Sequence, residues 1–247
     1  MFSPESSRFQ LLLLGLFSIL VVTEPVHAQM FSQGSTNQEQ TLGNSQLMIG
    51  TEWIDFNYQG PTNPTALPTD RYDVQGNALI LQLETQTIDM YIRGLGKLTG
   101  SSNESMFNLG ARLHNQFQLF RKGLFRIHVP IQLHTDLLRT RRDASNRQFQ
   151  QTIVQAGAGL ASTIGSPRSV QATFSLLPSY GFSNSAGAFF GGSVRSLQGR
   201  SRIQIPGILP NRMIVIGYDY RFRKYDIDID SYDYQLQSHT VVIGFTF

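Results

Sequence analysis

The sequence predicts an all-β fold: a transmembrane, antiparallel, up-and-down β-barrel of about ten strands, behind a cleaved signal peptide. Three observations lead there. From Leu47 to Phe247 the chain is a succession of segments in which apolar and polar residues alternate, broken by clusters of turn residues. The clearest arms exceed the ~5–6 residues of a globular strand and suffice for the ~9–11 residues of a tilted membrane strand. After Val22 no apolar run approaches the ~20 residues of a membrane-spanning helix. A mean hydropathy of −0.16 is no objection, because only alternate residues of a barrel strand face lipid.

Arg8, the apolar run Leu11 to Val22 and the small-residue site Val26-His27-Ala28 form the three regions of a secretory signal, so residues 1–28 are expected to be removed, leaving Gln29 first. Residues 29–45 are polar and lack a period; they read as a flexible lead-in, and 46–247 as the barrel. With no cysteine, an exported chain has no disulfide framework, and the closed backbone ladder must hold the fold. A formal charge of +3, without a basic cluster interleaved with aromatics, argues against nucleic acid.

Leu47 to Tyr58 is the first strand, of ambiguous parity because Glu52 stands among apolar neighbours. A connection rich in Pro, Thr and Asn, Gly60 to Pro68, leads to a short strand near Arg71 to Gln75, and Gly76-Asn77 reads as a tight turn. In Ala78 to Arg93, Leu79, Leu81 and Leu83 share one face and Gln82, Glu84 and Gln86 the other; the apolar parity switches near Ile88, as at a bulge. Phe107 to Leu119 alternates cleanly, turns at Arg121-Lys122-Gly123 and resumes from Phe125 to Asp136, a hairpin with one oily and one wet face.

Thr152 to Ile164 follows the charged loop Thr140 to Arg147, and Gly165-Ser166-Pro167-Arg168 turns into the strand Val170 to Phe182. Pro178 falls on the lipid parity of that strand; lacking a donor, it is expected near the rim or at a bulge. Gly187 to Leu197 is a glycine-rich strand of uncertain face, Gly199 to Asn211 a connection carrying Pro206 and Pro210, and Ile214 to Arg223 a strand. The acidic stretch Asp226 to Asp233 leads into the last strand. The count is about ten, or about eight if the two earliest arms are mis-split, and an even number brings both chain ends to one rim. Gly76-Asn77, Arg121 to Gly123, Gly165 to Arg168 and Gly199 to Asn211 then lie on that inner rim, while Gln59 to Thr69, Gly94 to Glu104, Thr140 to Arg147, Ser183 to Ala186 and Asp226 to Asp233 face outward.

In the closing strand Val241, Ile243, Phe245 and Phe247 alternate with Val242, Gly244 and Thr246. Together with the signal and the strand series, this resembles the small outer-membrane β-barrels of Gram-negative bacteria, the superfamily of OmpA-, OmpX- and OmpW-like, porin-like folds. The resemblance implies integral outer-membrane location, contact with outer-membrane lipid and lipopolysaccharide, and a barrel assembly machinery that reads Val241, Ile243, Phe245 and Phe247. It implies no activity.

Barrels of about eight strands are filled by their own side chains, whereas aqueous channels come at ~16–18 strands, so this chain is expected to have a mostly plugged lumen. The expected lumen network is Glu84, Arg112, His114, Arg126, His128, His134, Asp136, Asp219, Arg221 and Arg223, whose mixed signs can pair in a confined interior. The expected role is structural or surface-interacting through the outward loops, with the extracellular ligand unspecified. A narrow channel for small solutes and a barrel-embedded lipid-modifying enzyme or rim protease are the alternatives. No catalysis is expected, since no nucleophile motif accompanies these histidines. Asp226, Asp228, Asp230 and Asp233 do not match a calcium loop, which needs glycine at its sharp turn, so neither metal nor cofactor is expected. Arg139, Arg141 and Arg142 either reach lipopolysaccharide phosphates or stand solvated.

Overall fold

Long alternating segments leave a backbone in lipid one stable β arrangement, a ladder closed on itself. The computed structural model describes residues 45–59, 73–101, 104–142, 148–166, 169–185, 192–209, 212–227 and 233–247. The signal and lead-in up to residue 44, the Gly60 to Pro68 connection, and Asp228 and Asp230 lie outside them. The strands are β1 (Gln46–Tyr58), β2 (Val74–Glu84), β3 (Ile88–Leu95), β4 (Glu104–Lys122), β5 (Phe125–Arg142), β6 (Gln148–Ala158), β7 (Leu160–Ile164), β8 (Gln171–Ser185), β9 (Gly192–Leu209), β10 (Arg212–Ile227) and β11 (Tyr234–Thr246). Sequential neighbours pair antiparallel and β11 returns to β1, which closes the ring.

β6 and β7 are two parts of one strand, so the barrel has ten. Both lie between β5 and β8 in an unchanged register, interrupted at Gly159. The interruption follows from the neighbours. Pro130 on β5 and Pro178 on β8 flank it, and neither can donate to the ladder; only Gly159 N–H bonds to the Pro130 carbonyl, at 3.0 Å. Pro178 is therefore neither at a rim nor at a bulge. It sits mid-strand, on the lipid face, where its missing donor coincides with that of Pro130.

Followed sideways from Gln46 through Glu84, Asp89, Arg112, His134, Gln155, Gly181, Val194, Tyr225 and Tyr234, the pairing comes back to β1 at Tyr58. That stagger requires strongly tilted strands and fixes which side chains meet in the lumen.

Two boundaries differ from the sequence expectation. Gly76 and Asn77 lie inside β2, paired with Ile54 and Trp53; the turn is at Thr85 to Thr87, where the Thr85 hydroxyl donates to the Ile88 carbonyl at 2.7 Å and accepts from its N–H at 3.0 Å. The parity switch near Ile88 is thus a hairpin and not a bulge. Gly199 to Leu209 is strand, the inner half of β9, paired with β8 and β10. A β-bulge, unforeseen, lies in β4 between Gln118 and Phe120. The Arg121 to Gly123 turn is where it was expected, with Gly123 at a left-handed φ of 58°.

The outward face carries an apolar belt: Ile49 and Trp53 on β1, Leu79 and Leu81 on β2, Leu133 on β5, Phe174 and Leu176 on β8, Ile216 and Tyr218 on β10, Val241 and Ile243 on β11 are all exposed. An exposed apolar surface of that extent, encircling a closed barrel, is a lipid-facing surface. Towards the outer rim the same parity turns polar, with Asp55 and Asn57 on β1 and Gln235 and Gln237 on β11. The belt sits nearer the inner rim, so the barrel rises above it.

Candidate functional site: the charged lumen

The inward parity of the tilted strands stacks three layers inside the barrel. The inner layer is ionic on one side and apolar on the other, where Met48, Ile80, Val215 and Val242 cluster against Tyr91. Arg202 on β9 grips two carboxylates at once: Nη1 and Nη2 donate to Asp219 at 2.6 and 3.0 Å, while Nη2 and Nε donate to Glu84 at 2.7 and 3.4 Å. Arg200 Nη2 donates to Asp89 at 2.9 Å, and His114 Nε2 lies 3.0 Å from the other Asp89 oxygen. Charges placed this deep are tolerable only when paired and hydrogen-bonded, and the bidentate guanidinium is the group best suited to that.

The middle layer is built around Tyr91 of β3. Its hydroxyl donates to Asp136 Oδ2 at 2.9 Å and lies 2.8 Å from His134 Nε2; the single hydroxyl proton goes to the carboxylate, so the imidazole nitrogen is the donor to the phenol oxygen. Arg223 Nη1 also donates to Asp136 Oδ2, at 2.8 Å, and to the Tyr225 hydroxyl at 3.0 Å. Arg93 pairs with Glu52 at 2.8 Å and its guanidinium lies 4.2 Å from the Tyr91 ring centre. Arg112 and Arg221 approach the same ring at 5.4 and 5.1 Å. Three cations around one aromatic quadrupole hold the ring in place.

The outer layer is apolar. Ile54, Phe56, Val74, Leu138, Tyr225, Tyr234 and Leu236 belong to one buried cluster, in which Phe56 and Tyr234 stack at 4.6 Å and Tyr225 meets Phe56 edge-on at 6.2 Å.

Of the residues singled out from the sequence, Glu84, Arg112, His114, His134, Asp136, Asp219, Arg221 and Arg223 are brought together in these layers. Arg126 and His128 are not. They share the inward parity but lie on the inner extension of β5, half-buried, and join none of the ion pairs found among the described residues. Glu52, Asp89, Tyr91, Arg93, Arg200 and Arg202 went unselected. Glu52 was hidden by its apolar neighbours, Asp89 and Arg93 by the misplaced turn, and Arg200 and Arg202 by the reading of inner β9 as a connection. Alternation with Gln198 and Gln204 was the signal available for β9.

At the lipid face, Val241 and Ile243 are exposed, Phe245 lies under the Arg212 guanidinium at 5.2 Å, and Phe247 follows the strand. Arg139 and Arg141 are exposed towards the outer end of β5; the Arg142 side chain lies outside the described residues. Among the described residues no cluster of His, Cys, Asp and Glu is arranged to hold a metal ion.

No protein-family model matches the chain, and no curated protein does. Among solved structures it is similar to the outer-membrane protease OmpT from Escherichia coli, with 10% identity, 82% of this chain and 96% of that one covered, and a TM-score of 0.49. It is also similar to Neisserial surface protein A, at 11% identity, 82% and 95% coverage and a TM-score of 0.34, and to Ail, the attachment invasion locus protein of Yersinia pestis, at 14%, 83%, 99% and 0.23. At these scores the three lend nothing to an assignment of chemistry. The closed ten-strand ladder and its apolar belt define the class, a small membrane β-barrel of the outer-membrane type.

Proposed function

We propose that this chain is an integral outer-membrane protein with a structural or surface-interaction role and no enzymatic activity, presenting its outer rim on a barrel that does not conduct. The observation that carries the reading is the layered plug: apolar side chains at the outer half of the lumen above a network of bidentate ion pairs. A permeant ion would have to break both. The candidate acid–base set, Tyr91, His134 and Asp136, is sealed in the middle layer, with Asp136 held by Arg223 and no serine or threonine nucleophile among its hydrogen-bond partners. That supports a structural use of the histidine over a catalytic one. Exposed Arg139 and Arg141, above the belt on β5, suit contact with phosphates of outer-leaflet lipid or lipopolysaccharide. The barrel assembly machinery remains the partner we propose for the Val241 to Phe247 strand.

Single-channel recording of refolded protein in planar bilayers, with a heat-modifiability gel to verify closure, tests the proposal. Folded, silent protein is the expected result. Steady ion-selective openings would overturn it and make solute passage the function.

A further inference from the structure

Among the described residues, six guanidinium groups enter the lumen layers, those of Arg93, Arg112, Arg200, Arg202, Arg221 and Arg223, against the five carboxylates of Glu52, Glu84, Asp89, Asp136 and Asp219. The surplus cation can be located. Among the described residues Arg221 has no carboxylate within 4 Å and its Nη1 finds no hydrogen-bond partner; the side chain is only 6% exposed. It approaches the face of Tyr91, which cannot neutralise it.

Arg112, from the opposite wall, approaches the same ring at 5.4 Å. Among the described residues its one carboxylate, Asp89, lies 3.9 Å from Nε and is already bound by Arg200 and His114; Nε and Nη2 are buried without hydrogen-bond partners. Arg112 Nη1 donates to Gln198 Oε1 at 3.2 Å, and Gln198 Nε2 is itself unpartnered. Gln198 is the register partner of Arg221 on the neighbouring strand. Unsatisfied donors of Arg112 and Arg221 thus flank the Tyr91 ring, and Gln198 is linked to the first by a hydrogen bond and to the second by register. The carboxylate oxygens left without hydrogen bonds, on Glu52 and Asp136, belong to groups already in ion pairs with Arg93 and Arg223.

A buried guanidinium cannot lower its cost by losing a proton, so it needs a counter-charge. We propose that the lumen binds one small monovalent inorganic anion, of chloride size, between the Arg112 and Arg221 guanidinium groups beside Gln198. The surplus guanidinium calls for a counter-charge, which water, although it can accept from these donors, does not supply. The site rests on the lumen being closed by its own side chains, and on nothing about the surface role. Bound there, the anion completes the plug and links β4 to β9 and β10.

The test is the thermal midpoint of the refolded full chain in detergent, at constant ionic strength, in sodium chloride against sodium gluconate, whose anion is too bulky to enter. Chloride should raise the midpoint by several degrees, saturably. Arg221→Gln should abolish the effect, and Lys224→Gln, at an exposed position next to Arg223 on β10, should not. Equal midpoints in the two salts, or a chloride effect that survives Arg221→Gln, would overturn the site. Should Arg221→Gln not fold, Arg112→Gln takes its place, and the wild-type comparison of the two salts stands in either case, equal midpoints being the negative result. Conductance separates this from the plug: a silent barrel without chloride dependence defeats the anion site and leaves the plug, whereas a conducting barrel defeats the plug and the site that rests on it.

Discussion

Tyr91 on β3 lies across Gly110, its register partner on β4, and so reaches over that strand to Asp136 and His134 on β5. A Cβ at Gly110 would fall inside the van der Waals surface of the phenol ring. The glycine is therefore the recess that lets one side chain tie three strands together.

Gly110→Ala should push the ring off Gly110 and lengthen its bonds to Asp136 and His134. The expected loss is about 1–3 kcal/mol, the usual cost of overpacking a close-packed site. Urea unfolding in detergent would measure it, and an alanine variant as stable as wild type would remove Gly110 from the account. Tyr91→Phe, which keeps the ring and deletes the hydroxyl, should cost less than Tyr91→Ala.

Asp136 and Arg223 provide the second test. Asp136→Ala strands the buried Arg223 and should cost roughly 3–5 kcal/mol, while the paired replacement Asp136→Leu with Arg223→Met should recover most of it. A double-mutant cycle on unfolding free energies reads the coupling. Additive losses would show that the pair acts independently.

Trp53, the one tryptophan of the chain, stands 37% exposed on the outward face of β1, tilted against His239 at 5.8 Å; Tyr218 and Tyr220 pack on the same imidazole, and the Tyr218 hydroxyl is 2.7 Å from Nδ1. Such amphipathic aromatics mark a membrane interface. Lipids brominated near the headgroup should quench Trp53 more strongly than lipids brominated near the acyl terminus. Stronger quenching from the bilayer centre would move the belt towards the outer rim.

The two halves of the plug predict a dependence on order. Phe56→Ala with Tyr234→Ala opens the apolar layer but leaves Arg202 bridging Glu84 and Asp219, so the barrel should stay silent in planar bilayers. Adding Arg202→Ala together with Tyr91→Ala, which thins the middle layer as well, should produce openings. Conductance from the double aromatic variant alone would place the whole barrier in the apolar layer.

The sequence by itself determined the class of fold and most of its frame. Alternation in Phe107 to Leu119 and Phe125 to Asp136, and the turn chemistry of Gly123 and Gly165, are local, because side-chain parity and a left-handed residue depend on a few neighbours. The same parity selected Arg112, His134, Asp136 and Arg223. Only the tertiary structure decided who meets whom. The Thr85 turn, without glycine, proline or asparagine, looked less like a turn than Gly76-Asn77, and what keeps Gly76 in a strand is its pairing with β1. Inner β9 reads as a loop until β8 and β10 flank it, and Arg200 and Arg202 become lumen residues at that moment. The Tyr91–Gly110 recess, the Pro130–Pro178 coincidence and the solitary Arg221 depend on register and stagger between strands distant in sequence. Those are set when the ladder closes, and no single strand carries them.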